Sequence, residues 1–238
     1  MLLMALFAVL YFYDSVMLLH GNEAVLSRRG PGRWSAGFGS STTTLKGKEV
    51  YFPNPFLPTQ PLVRLRWRYE GSPAGPAQLW DARLNRFSGL SGFVWILAFL
   101  IFVMLPVALF GRQGERLIVL AFGMIYATTA LMVLFLWFRR RQFEYTVREF
   151  SAIAIDLLIC PPFALNIIRR LALRTPISED FVLAAKRLLS SEQWESTCQK
   201  LLSRLDDEIA MEDEGSQRML KLIERRGEFT VGAGHVPD

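Results

Sequence analysis

The chain has few of the residue types on which metal and redox chemistry usually depends. It contains two cysteines and two histidines in 238 residues. The cysteines, Cys160 and Cys198, are too few for a disulfide framework, which favours a reducing compartment for the polar parts of the chain. The histidines, His20 and His235, form no metal-ligand spacing with thiol or acidic side chains. The sequence therefore predicts a protein without a metal or other cofactor.

Motifs of the common enzyme classes are also missing. No nucleophile elbow, protein-kinase set or zinc-protease motif occurs. Gly37-Phe38-Gly39 lacks the third glycine of a dinucleotide-binding loop, and no Gly-Lys-Ser/Thr of a P-loop is present. The acidic run at 206–214 lacks the alternating ligands of a calcium-binding loop. These absences predict a protein that is not an enzyme.

Charge is absent from two long apolar runs, Leu90 to Phe110 and Leu117 to Phe138. At a rise of about 1.5 Å per residue, a helix over either run covers a hydrocarbon core of about 30 Å. The polar turn between them is too short for anything but an antiparallel connection. Residues 90–141 therefore predict a transmembrane helical hairpin.

A third apolar run, 1–19, predicts a first transmembrane helix. It lacks the basic start and the small-residue cleavage site of a signal peptide, so we expect it to remain attached. Asp14 within it costs about 2.5 to 3.5 kcal/mol at a bilayer centre, so it should face protein, water or the interface. Its role as a proton or partner site, or as a structural carboxylate near a helix end, stays open.

The segment 142–174 contains an interrupted apolar stretch from Phe150 to Ile168. It carries Asp156 and the pair Pro161-Pro162. Proline removes a backbone donor and disfavours helical geometry in the residue before it. We therefore expect broken re-entrant or interfacial helices here, in preference to a fourth crossing.

Residues 20–89 predict a polar, β-containing loop domain with strands at 49–52 and 62–69. The second strand alternates between apolar residues and arginines. Its charged face consists of Arg64, Arg66 and Arg68. These arginines could bind an acidic protein partner, or they could remain solvent-exposed and discourage edge pairing. Nucleic acid is not expected as a partner, because no aromatic stacking platform accompanies them.

Residues 175–226 predict a soluble domain of amphipathic helices, followed by a disordered tail at 227–238. Ser178 is expected to cap one helix, and Ser190 with Gln193 has capping-box spacing for the next. The second of these helices carries an apolar stripe that includes Trp194, Leu201 and Leu205. The stripe could dock on a partner, or the basic loop and the acidic C-terminal region could contact each other within the chain.

The distribution of arginines predicts an orientation. Arg139, Arg140 and Arg141 follow the hairpin on the side of the loop domain, whereas Arg112 and Arg116 lie on the other side. The positive-inside rule then puts the loop and C-terminal domains in the cytoplasm, and a bacterial inner membrane is expected. A fourth crossing would allow the inverse topology.

The sequence as a whole predicts a mainly α integral membrane protein with three transmembrane helices. The expected role is a non-enzymatic subunit, adaptor or assembly component of a larger membrane complex, in contact with the lipid bilayer and with membrane or cytoplasmic protein subunits. Its predicted partner-binding residues are Arg64, Arg66, Arg68, Trp194, Leu201 and Leu205. The alternative is a small channel or transporter component, a homo-oligomer in which Asp14 and Asp156 line a polar path.

Overall fold

The computed structural model describes residues 2–30, 32–68, 84–111, 115–143, 145–175, 177 and 179–232, with side chains as far as 229. The chain is mostly helical and contains two small sheets. It divides into two compact units. Unit 1 contains the described residues of 1–16, 52–61 and 79–174, and unit 2 contains those of 17–51, 62–78 and 175–238. Most of the predicted loop domain therefore folds together with the C-terminal helices.

Unit 1 is helical. Its helices are α1 (Leu2–Ser15), α2 (Ser88–Phe110), α3 (Glu115–Arg139), α4 (Val147–Ile159), the single turn α5 (Pro161–Ala164) and α6 (Ile167–Arg174). The two longest, α2 and α3, have 23 and 25 residues and are long and apolar enough to cross a membrane. They pack against each other, as predicted for the hairpin. The predicted turn at 112–114 lies outside the described residues.

The first predicted transmembrane helix is shorter than expected. Helix α1 has 14 residues, which span about 21 Å and fall short of the hydrocarbon core. Three crossings are therefore not confirmed. Met17–Leu19, expected in this helix, form strand β1, because their backbone pairs with strand β5 at Lys48–Tyr51.

The interrupted segment breaks where the prolines predict. Helix α4 ends at Ile159, and Cys160 adopts φ −131° and ψ 83° before the short turn α5. A second turn at 165–166 separates α5 from α6. Asn166 lies in this second turn and belongs to the polar cluster described below.

Unit 2 contains all six described strands. They are β1, β2 (Glu23–Gly30), β3 (Arg33–Phe38), β4 (Ser40–Leu45), β5 and β6 (Leu62–Arg66). They form two antiparallel three-stranded sheets, with orders β1-β5-β4 and β3-β2-β6. The sequence predicted two of these strands. The second was expected to reach Tyr69, but it ends at Arg66, so the prediction is wrong for residues 67–68, and Tyr69 lies outside the described residues.

Three helices complete unit 2: α7 (Phe181–Leu188), α8 (Ser191–Met211) and α9 (Gln217–Gly232). Helix α7 packs on β2 and β3, and α8 packs on β3 and α9. The N-cap of α7 is Asp180, whose side chain accepts the Val182 N–H, while the predicted cap Ser178 lies outside the described residues. The capping box of Ser190 and Gln193 is confirmed. The disorder predicted from 227 is wrong for residues 227–232, which continue α9.

The two long helices of unit 1 meet through only one side of each. On α3 the buried residues are Ala121, Ile125, Thr129, Met132 and Leu136. The small residues Gly123, Ala127 and Ala130, which could have allowed close packing within the hairpin, are exposed. The hairpin therefore does not use the small-residue face of α3.

Candidate functional site

The break between α4 and α6 gathers the two acidic residues that the sequence places in apolar segments. Arg170, in the first turn of α6, lies between them. Its Nε is 3.3 Å from Asp14 Oδ1, and its Nη2 is 3.2 Å from Asp156 Oδ2. Two carboxylates around one guanidinium leave one negative charge in excess. Each predicted intramembrane carboxylate therefore has a cationic partner, which lowers the cost of placing it away from water.

Sequence reasoning missed Arg170 as the link between these residues. The available signal was that an acidic residue in lipid needs a partner and that α6 is amphipathic with arginines in its first turn. Choosing Arg170 required the direction of the helix after the break, because Asp14 is far away in sequence.

A second set of hydrogen bonds joins the break to α1. Asn166 Nδ2 donates to Tyr11 O at 3.2 Å and to Ser15 Oγ at 2.9 Å. Ser15 Oγ in turn donates to Tyr11 O at 2.8 Å. Asn166 and Ser15 are 1% and 3% exposed. Buried polar side chains of this kind contribute to stability only when their donors and acceptors are met, as they are here.

Arg169 extends the cluster to the segment 52–61. Its Nη1 donates to Asn166 Oδ1 at 3.2 Å, and its Nη2 donates to the carbonyl oxygens of Asn54 and Leu57 at 2.5 and 2.8 Å. Tyr11 Oη also donates to this segment, at Pro55 O. Each of these two carbonyls also accepts a backbone N–H within the segment, from Leu57 and Gln60 respectively, so the arginine adds a second donor to each.

The cluster as a whole can hold three distant parts of unit 1 together. It joins α1, the segment 52–61 and the region from α4 to α6 through charges and hydrogen bonds. Among the described residues, Asp14 Oδ2 and Arg170 Nη1 are buried without a hydrogen-bond partner, so both interpretations of Asp14, as a structural carboxylate and as a proton or partner site, stay open.

The predicted arginine face of β6 lies in unit 2, and part of it is neutralised by Glu23 on the neighbouring strand. Arg64 Nη2 is 2.8 Å from Glu23 Oε2, and Arg66 Nε is 2.9 Å from Oε1. The backbone N–H of His20 also donates to this carboxylate, at 3.0 Å. Burial by itself raises the pKa of Glu23, but these hydrogen bonds outweigh it and lower the pKa to about 2.

The same face keeps an excess of positive charge. Glu23 is one carboxylate for three arginines, and the side chains of Arg64 and Arg66 are 37% and 68% exposed. Arg68 is exposed too, and its backbone N–H donates to Asp180 Oδ2 at 3.2 Å. The outer side of β6 is therefore a solvent-facing basic surface.

The predicted apolar stripe of α8 lies mainly inside unit 2. Leu201 and Leu205 are fully buried, Cys198 is 3% exposed, and Trp194 is half-buried. The stripe packs against β3 and α9, so its apolar pattern is explained by the core of the unit. The sequence alone could not decide between packing of the stripe within the chain and docking of the stripe on a partner.

Arg204, on the same helix, connects α8 to both sheets. Its Nη1 donates to Gly21 O at 2.8 Å, and its Nη2 donates to Gly39 O at 3.0 Å and to Glu49 Oε2 at 2.5 Å. Its guanidinium carbon lies 5.1 Å from the centre of the Phe38 ring. Contact between the loop and the C-terminal region was expected from a basic loop and an acidic tail. In this contact the charges are reversed, with the arginine on the helix and the glutamate on the loop.

Metal ligands are not assembled in the part of the chain that the structure describes. No three His, Cys, Asp or Glu side chains there are close enough to hold a metal ion. The absence of a cofactor stays a prediction.

Comparisons with protein-family models, with curated proteins and with solved structures find no match to this chain.

Proposed function

We propose that the chain is a non-enzymatic, membrane-anchored subunit or adaptor, with unit 1 as its anchor and unit 2 as its partner-binding part. The observation that carries the proposal is the exposure of α2 and α3. Only 33% and 22% of their most apolar windows are buried inside the protein. Apolar surface of this extent is costly in water and favourable in lipid.

Large apolar side chains are exposed along both helices. On α2 they include Trp95, Ile96, Phe99, Phe102 and Val107, and on α3 they include Val119, Leu120, Leu131, Leu134 and Phe138. A soluble protein seldom exposes a continuous apolar patch of such length. A bilayer is the environment that removes this surface from water without a further protein.

The partner-binding role of unit 2 is supported by its basic surface. The β6 arginines exceed their one paired carboxylate, and an acidic patch on another subunit would complement them. Leu201 and Leu205 are not proposed as partner contacts, because both are buried. The chain also passes between the units after residues 16, 51, 61, 78 and 174, so unit 2 is tied to the anchor by several chain connections.

A bacterial inner membrane with unit 2 in the cytoplasm is the proposed location. It is supported by the excess of arginines at the end of α3 compared with the turn before it. Protease treatment of spheroplasts, whose outer membrane has been opened, tests the orientation. We expect unit 2 to be cut only after the inner membrane is opened as well.

Purification of the tagged full chain in a gentle detergent tests the proposed function. Mass spectrometry of the accompanying proteins and sizing of the particle should find defined partners in fixed ratio. A partner-free homo-oligomer would contradict the proposal and would favour the channel or transporter alternative. That alternative is then tested by transport assays on Asp14→Asn and Asp156→Asn variants.

A charge reversal identifies the partner surface. Arg68→Glu is expected to reduce recovery of the partner at least several-fold, because an exposed arginine that meets an acidic patch would become repulsive. The matched control is Arg29→Glu, which reverses another exposed arginine of unit 2. Equal recovery with both variants would show that the face of Arg64, Arg66 and Arg68 is not the contact surface.

A further inference from the structure

Arg139, Arg140 and Arg141 form a basic cluster at the C-terminal end of α3, which we call the arginine end. Arg139 and Arg141 are exposed and Arg140 is half-buried. Within the described part of the chain, the side chains of these three arginines form no hydrogen bond or ion pair. Three adjacent cations repel one another, so a bound anion would stabilise them.

Aromatic rings hold two of these arginines in place. The guanidinium carbon of Arg140 lies 3.8 Å from the ring centre of Trp137, and that of Arg139 lies 4.9 Å from the ring centre of Phe135. Contact with a ring occupies the face of a guanidinium and leaves N–H groups on its edge. Those N–H groups suit the oxygen atoms of a phosphate, which accept hydrogen bonds in pairs.

The start of α2 lies beside the arginine end. A Cβ atom built on Gly89 would lie 2.9 Å from the Phe135 ring and 3.8 Å from Arg139 Nη1. The absence of a side chain at Gly89 therefore makes room for the ring and the arginine that it supports. Arg86, just before α2, donates from Nη1 to Gln142 O at 3.0 Å, immediately after the cluster. A fourth arginine is thereby held close to the other three.

The surface next to the cluster is apolar. Trp137 and Phe138 precede the arginines directly and are 40% and 76% exposed, and Leu134, one turn earlier, is 48% exposed. The chain thus changes from exposed apolar side chains to arginines within one helical turn. A phospholipid matches this change, because its acyl chains and its phosphate are joined in the same order.

We propose that the arginine end binds the phosphate group of an anionic phospholipid, with the acyl chains against Leu134, Trp137 and Phe138. The inference rests on the proposed membrane anchoring of unit 1. It adds a lipid class and a binding site to that proposal. A phospholipid is favoured over a free phosphate or an acidic protein because neither of those would cover the adjoining apolar surface.

The test uses the full chain purified in gentle detergent, with native mass spectrometry and thermal unfolding as readouts. Phosphatidylglycerol, phosphatidylcholine and inorganic phosphate are added separately. We expect phosphatidylglycerol to bind at least about ten-fold more tightly than phosphatidylcholine, since each basic residue near an anionic lipid surface contributes measurably. Phosphatidylglycerol alone should raise the unfolding temperature.

The test variant is Arg139→Gln/Arg140→Gln/Arg141→Gln, which should lose most of the preference for phosphatidylglycerol. Its matched control, Arg28→Gln/Arg29→Gln/Arg33→Gln, removes the same charge from unit 2 and should keep the preference. Should the triple variant fail to fold, the single change Arg141→Gln, at an exposed position, is expected to lower the preference several-fold. Equal losses in test and control variants would overturn the site, because total charge would then explain the binding.

Two further outcomes separate this inference from the proposed function. Stabilisation by inorganic phosphate as strong as that by phosphatidylglycerol would overturn the lipid site in favour of a free-anion site. Alkaline carbonate extraction of membranes checks the anchoring by itself. A chain that stays in the membrane but shows no preference for phosphatidylglycerol would refute only the lipid site, whereas a chain released by carbonate would refute both.

Discussion

Each compact unit contains an arginine that donates to backbone carbonyls from a distant part of the sequence. In unit 1, Arg169 binds the carbonyls of Asn54 and Leu57. In unit 2, Arg204 binds those of Gly21 and Gly39. Each arginine therefore joins a helix to a segment that is distant in sequence.

The two arginines differ in burial and in their side-chain acceptor. Arg169 is 2% exposed, and its side-chain acceptor is the neutral amide of Asn166. The side chains of Arg204 and its acceptor Glu49 are 14% and 15% exposed. Water can therefore reach Glu49 after removal of Arg204 more readily than it can reach Asn166, which is 1% exposed, after removal of Arg169. We therefore expect the two arginines to stabilise their units to different degrees.

The largest effect is expected from Arg169→Met. The variant removes the charge-assisted hydrogen bonds to Asn166 and to the carbonyls of Asn54 and Leu57, and we expect unit 1 to lose about 3 to 4 kcal/mol of unfolding free energy. The measurement is the urea dependence of thiol labelling at Cys160, in a Cys198→Ala background. Arg174→Met, an exposed change in the same helix, should cost less than about 0.5 kcal/mol. Equal costs for the two variants would contradict the role of Arg169.

Glu23→Gln tests a buried charge that is paired with arginines and not with carbonyls. The variant weakens two charge-assisted hydrogen bonds, and we expect a loss of about 2 to 3 kcal/mol at pH 7. Glu195→Gln, at an exposed site in α8, is the matched control and should change little.

The pH dependence of this effect follows from the lowered pKa. The pKa of Glu23 falls from its ordinary value of 4.5 to about 2 on folding, so the unfolded chain binds the proton more tightly. The stabilisation is then complete above about pH 4.5 and is lost as the pH falls towards 2. Urea unfolding followed by circular dichroism should show the wild type and the variant converging over this range. A constant difference down to pH 2 would refute the ion pairs.

Arg204→Met is expected to have an intermediate effect, about 2 kcal/mol, because Glu49 stays partly hydrated. Labelling of Cys198 in a Cys160→Ala background measures it. Burial raises the pKa of Cys198 to about 11, so the native thiol reacts slowly and labelling reports the opening of unit 2. Lys200→Met, an exposed change on the same helix, should leave the rate nearly unchanged. If Arg204→Met lost more unfolding free energy than Arg169→Met, the expected order of the two arginines would be wrong.

The smallest effect is expected from Ser190→Ala, at the start of the helix that carries Arg204. The serine accepts the Gln193 N–H in a capping box, and its loss should cost about 1 kcal/mol. The same Cys198 assay measures it. Ser203→Ala, at an exposed position inside α8, should be neutral or slightly stabilising, because alanine favours helix interiors. If Ser203→Ala destabilised the protein by a similar amount, the cap would not contribute to stability.

Features that depend on neighbours in sequence could be predicted. The long helices α2 and α3 follow from two uncharged runs, the break at Cys160 follows from the prolines after it, and the cap at Ser190 follows from its spacing to Gln193. The predicted alternation between apolar residues and arginines along β6 is also present in the described residues. Each of these depends on backbone geometry or on periodic burial, which act over a few residues.

Features that depend on distant partners could not be predicted. The strand at Met17–Leu19 looked like the end of an apolar helix, because an apolar residue suits both structures and only its pairing with β5 decides between them. The stripe with Leu201 and Leu205 showed that α8 needed an apolar neighbour. It did not show that the neighbours are β3 and α9 of the same unit.

The sequence by itself determined the two long apolar helices, the helix break and the basic face of β6, because absence of charge, proline geometry and period-two alternation are local properties. Only the tertiary structure decided that Arg170 pairs with Asp14 and Asp156, that Glu23 lies between Arg64 and Arg66, and that Arg204 meets Glu49. The physical reason is that an ion pair depends on distance and direction in space, and the chain has 22 arginines and 22 acidic side chains from which such pairs could be chosen.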